Sequence, residues 1–193
     1  MFPVDLLIQK VIELARERSE NLSQLFERHV EPTYTLLREI HEHYIETITQ
    51  AIHQIQAGDP ERNVIEYLNA ERSKAMTRRS HIHGVAIGMS ASPYAERLTG
   101  FYQAVMLYLY GQKFRVLQDE RAQWSQMVLR GLIQVLERTD PSILEQEREW
   151  HEDRAEIRKE IIDSFRWESA HLQELFARVS GEYGRLRARL LNP

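Results

Sequence analysis

The sequence predicts an all-α fold, an elongated bundle of about four to five long helices, and three observations carry that expectation. Apolar residues recur at three- and four-residue spacing through most of the chain. Helix breakers are few, 6 Pro and 8 Gly in 193 residues. No stretch alternates apolar and polar residues as a half-buried strand would. The whole chain, residues 1–193, reads as a single helical-bundle domain, long enough to bury a sizeable core without a staple.

The first stripe runs Leu7, Val11, Leu14, Leu22, Leu25, Phe26, Val30, Leu37, Ile40, Tyr44, Ile48, Ile52 and Ile55, with one polar gap at Arg18. Its phase survives Pro32, which predicts one helix from about residue 4 to 57 kinked at Pro32, or two helices nearly in line. Gly58 is the stop signal, and Asp59-Pro60 supplies the next N-cap and first helical residue.

The second unit, Pro60 to about Met89, places Val64, Leu68, Ala75, Met76, Ile82 and Ala86 on its apolar side and is the least apolar helix. Ser90-Ala91-Ser92-Pro93 then caps a third, which runs from Tyr94 through Leu98, Phe101, Val105, Tyr108, Leu109, Val116 and Trp124 to Val135, with Gly100 and Gly111 as expected bends. Thr139-Asp140-Pro141 repeats the signal before a last helix of about fifty residues, striped by Ile143, Trp150, Ile157, Ile161, Phe165, Leu172, Leu175, Val179, Tyr183, Leu186 and Leu190. Stripes of this length suggest coiled-coil-like packing and a homodimer or a helical protein partner to cover them.

Composition excludes several chemistries. There is no Cys, hence no disulfide, thiolate metal site or Cys nucleophile, and a cytoplasmic setting is expected. The first twenty residues lack the basic start and small-residue cleavage site of a secretory signal, and the longest strongly apolar stretch, Phe101 to Tyr110, is about half a membrane span. Acidic and basic residues, 29 and 25, are mixed along the chain, so nucleic acid would need a local patch. The basic residues are 21 Arg and 4 Lys, a bias toward the bidentate fork that suits helix interfaces.

No phosphate-cradling Gly loop is present, and no cofactor is expected. Di-metal bundles use Glu-x-x-His on two helices; this sequence has one, Glu168 to His171, so no metal site is expected either. His41/His43 and His81/His83 are alternating pairs, which diverge on a helix and cannot chelate one ion alone.

Arg followed by His after four to six intervening residues occurs as Arg38 to His43, Arg78 to His83 and Arg166 to His171. This spacing resembles the catalytic signature of HEPN-type ribonucleases, all-α proteins that cleave RNA without metal. The resemblance implies a dimer in which Arg holds the scissile phosphate and His assists proton transfer, with Arg78 and His83 as the pair placed where the apolar pattern weakens. It covers six residues, and the small polar residue that usually follows the Arg is replaced by Glu39, Arg79 or Trp167.

The stretch Asn69 to Gly84 departs most from a plain bundle. Its apolar stripe thins, and Arg72, Arg79 and His83 share the face expected to look inward. The first helix offers Glu39, Glu42 and Glu46 at helical spacing, with His43 beside them. If these faces meet they form either an interhelical salt-bridge network or a pocket for a small anion. The C-terminal run Arg178, Arg185, Arg187 and Arg189 fits the negative end of a helix dipole. The functional expectation is a non-enzymatic assembly protein, with a metal-independent nuclease and an anion-binding sensor as competing classes.

Overall fold

Five helices build the described parts of the chain, residues 23–90, 95–110, 127–137 and 154–191 of a computed structural model. Helix accounts for 97% of these residues and none is in a strand. We label them α1 (Glu31–Ala57), α2 (Glu61–Ser90), α3 (Ala95–Tyr110), α4 (Met127–Glu137) and α5 (Arg154–Leu191).

The chain stays helical through Pro32, and the accommodation is visible just before it. Phe26–Val30 form one π-helical turn, with the Glu31 N–H donating to the Phe26 carbonyl. Widening the turn by one residue is a recognised way to absorb a missing backbone donor inside a helix. Leu37, Ile40, Tyr44, Ile48 and Ile55 are buried on one face of α1, as the stripe predicts, and Val30 is buried in the turn before it; Thr33, Thr47 and Ala51, which are not in that stripe, are buried with them, and Ile52 is half-buried.

At the other end of α1 the stop is a Schellman motif. Gly58 adopts φ 84°, its N–H donates to Ile55 O at 3.2 Å, and the Asp59 N–H donates to Gln54 O at 3.0 Å. The Pro60 carbonyl accepts from Asn63 and Val64, so α2 starts one residue later than the cap reading implies.

Helix α2 buries Val64, Leu68, Glu71, Ala75, Arg79 and Ile82 at spacings of three and four. Met76, expected on the apolar side, is 46% exposed, because the stripe passes through Ala75 and leaves its neighbour outside. The expected breaks at Pro93, Gly111 and Pro141 lie outside the described residues.

Helices α1, α2, α3 and α5 form a ring in which α1 packs on α2 and α5, and α3 packs on α2 and α5. Helix α4 packs on the same two helices as α3. Adjacent helices run antiparallel: between α1 and α2 Thr47 meets Tyr67 and His43 meets Glu71, between α1 and α5 Tyr34 meets Ser180 and His41 meets Phe176, and between α3 and α5 Gly100 meets Glu182 and Tyr108 meets Phe176. This is up-and-down four-helix topology, with α3 buried on nearly every side and the long stripes facing one another. Among the described residues no helix is long and apolar enough to cross a membrane.

Candidate functional site

Two polar clusters interrupt this core, both on α2. The inner one is built on Arg79, only 3% exposed. Its Nη1 donates to the Tyr44 hydroxyl at 2.6 Å, its Nη2 donates to the Leu109 carbonyl, and the guanidinium lies 5.5 Å from the Tyr44 ring centroid. No described carboxylate lies within ion-pair distance of it, and its Nε has no hydrogen-bond partner. A guanidinium cannot shed its charge at ordinary pH, so neutral acceptors and a π face must replace its water.

The network continues outward through Tyr108. Burial pushes the Tyr108 phenol well above its ordinary range, Tyr44 adds to the rise, and Arg79 opposes it. His41 Nδ1 is 3.2 Å from the Tyr108 hydroxyl, and the His41 ring stacks on Phe176 at 4.2 Å between centroids. Partial burial lowers the His41 pKa, with the nearby Glu42 carboxylate working against the shift. These groups tie α1, α2, α3 and α5 together at one level of the bundle.

The outer cluster is a cleft of about 370 Å³ between α1 and α2. Ile40, His43, Glu46 and Thr47 line it from α1; Tyr67, Glu71, Lys74, Ala75 and Arg78 line it from α2. Glu71 occupies a stripe position between Leu68 and Ala75, so its carboxylate is drawn inside and must be compensated there. Lys74 Nζ donates to it at 2.5 Å. His43 Nε2 approaches its other oxygen at 3.3 Å without the alignment of a hydrogen bond. Tyr67 is held above the usual phenol range by burial first, with the Thr47 hydroxyl opposing and Glu71 and Glu46 adding.

The residues singled out from sequence divide between these clusters. His43 and Glu46 line the cleft together with Arg78, which is exposed. Arg79 lies in the core network, away from the three glutamates of α1. Glu39 and Glu42 are exposed, Glu42 standing 3.9 Å from Arg38, and Arg72 is half-buried on the flank of α2. The side chain of His83 lies outside the described residues. Glu71, Lys74, Tyr67 and Thr47 were not singled out; the signal for Glu71 is a carboxylate at a spacing that calls for an apolar residue.

The Arg–His spacings give no shared face within one helix, since residues five apart are turned by about 140°. Arg166 pairs with Asp163 at 3.3 Å, while His171 stacks beneath Trp167 at 5.3 Å. Among the described residues no group of three or more His, Asp or Glu could hold a metal ion. Glu168, one partner of the single Glu-x-x-His, has its pKa raised by burial, with His171 opposing. In the C-terminal run Arg178 and Arg185 pair within their own helix, with Glu174 and Glu182, each at 2.6 Å. No protein-family model, no curated protein and no solved structure matches this chain.

Proposed function

We propose that this chain is a cytoplasmic, non-enzymatic helical binding protein that takes a small polar molecule in the α1–α2 cleft. The observation that supports this reading is the cleft itself: it brings charged and hydroxyl side chains together over an apolar wall of Ile40 and Ala75. Its volume is at the low end of small-molecule sites. The polar network behind it, centred on Arg79, gives α2 a fixed rotation, so the cleft residues are held in place by the core.

The test is equilibrium dialysis of the full chain against a cellular small-molecule extract, with retained compounds read by mass spectrometry. Wild type retains a discrete compound, and Arg78→Glu, a change at an exposed position, releases it. Retention of nothing by wild type, or equal retention by the variant, refutes the reading.

A second reading, docking of another copy or another helical chain, is favoured by Trp167. This side chain is 65% exposed on α5 and stacks on His171. Exposed Trp is a common interface anchor. The long stripes themselves give this reading less support than their length suggests, since among the described residues they bury against one another and leave only Trp167 and Met76 as large exposed hydrophobics.

A further inference from the structure

Resting on the binding reading, we infer that the ligand of the α1–α2 cleft is amphoteric, a small molecule of the amino-acid class that carries an ammonium at one end and a carboxylate at the other. The argument is a charge inventory. Glu71 is already compensated by Lys74 at 2.5 Å, with His43 Nε2 3.3 Å from its other oxygen. Two charged groups of the lining remain without an ion pair among the described residues, Glu46 on α1 and Arg78 on α2, and they have opposite sign. A singly charged ligand can satisfy only one of these two groups, whereas a molecule with both charges satisfies both, and that second contact is what favours it over singly charged competitors.

Placement along the helices supports a ligand with separated charges. The two helices are antiparallel and Thr47 faces Tyr67, so Glu46 lies near one end of the cleft and Arg78 near the other, about 15 Å apart along the axis at their backbones. Side chains on a helix lean toward its N-terminus, which tilts these two toward each other from opposite helices. Ile40 and Ala75 supply an apolar wall against which an aliphatic spacer can lie. A guanidinium recognises a carboxylate with a two-point fork, and a carboxylate accepts from an ammonium, so each end has a matched partner.

The experiment is isothermal titration of the full chain with 4-aminobutyrate, 5-aminopentanoate and 6-aminohexanoate, and with butylamine and butyrate as singly charged controls. At least one amino acid of the series is expected to bind about tenfold or more tightly than either control. Glu46→Gln and Arg78→Gln should each remove that advantage, with unchanged melting temperatures because both positions are exposed. Butyrate binding as tightly as the series, with Glu46→Gln improving it, overturns this inference in favour of a simple anion site and leaves the binding reading standing. Absence of binding by every probe also overturns it, while the dialysis experiment decides the binding reading separately.

Discussion

Replacing Tyr44 by Phe removes one oxygen and little else, and the structure assigns that oxygen a demanding role. It accepts from Arg79 Nη1 at 2.6 Å in a site where Nε already lacks a partner. The ring stays, so the contact between the guanidinium and the π face at 5.5 Å is kept. The loss is therefore a hydrogen bond to a buried cation, worth about 1.5 to 3 kcal/mol. For a chain of this size that corresponds to roughly 3 to 12 °C in melting temperature. Arg79→Met removes the charge that needed the oxygen, so in the double variant Tyr44→Phe/Arg79→Met most of the loss from Tyr44→Phe should disappear. Urea unfolding of the four proteins, followed by circular dichroism, closes the cycle. Additive losses, or a Tyr44→Phe variant as stable as wild type, would show that the guanidinium does not depend on Tyr44 and would refute the network as described.

Other outcomes follow from the same structure. Gly58→Ala should cost about 1 to 2 kcal/mol in urea unfolding, because φ 84° at the end of α1 places a Cβ in the left-handed region. Stability should fall as pH rises above 10: burial pushes Tyr102 up to about 12 and Tyr108 higher still, so the unfolded chain releases phenol protons that the folded one keeps. Tyr102→Phe should flatten that fall in urea midpoints taken at successive pH values. His41 acts at the acid side, where its lowered pKa makes the unfolded chain the better proton acceptor below about pH 6.5; His41→Gln should reduce the stability lost on acidification, with Glu168, whose pKa is raised, pulling the opposite way at lower pH. Light scattering tests the docking reading: a self-associating chain gives more than 22.9 kDa at micromolar concentration and loses mass as Trp167→Ala, whereas a monomer removes self-association from consideration.

The fold was legible because its physics is local and repeated. The α1 stripe from Leu37 to Ile55 and the α5 stripe from Ile161 to Leu186 are both read at helical spacing, and both are buried except at Ile52, which is half-buried. Gly58 followed by Asp59-Pro60 announces its turn because only a Gly fits the left-handed cap without strain. The candidate site was half legible. The thinning of the stripe between Asn69 and Gly84 falls on the α2 segment that lines the cleft, and His43 and Glu46 fall on its α1 wall. Rotation was harder: with Glu71 and Arg79 both in stripe positions, polarity ceases to mark the outside, and a face chosen by cation spacing puts Arg72 and Arg79 together although one lies on the flank and the other in the core. The Arg–His spacings carried little weight, since eight His among 21 Arg produce about three such matches by chance.

The location of the binding site is tested most directly by amide chemical-shift mapping of the full chain during titration with 6-aminohexanoate and with the compound retained in dialysis. Shifts concentrated at Glu46, Tyr67, Glu71, Lys74 and Arg78 are the predicted result. Shifts confined to the surface around Trp167 and His171, or no shifts near the α1–α2 cleft at saturation, would contradict it.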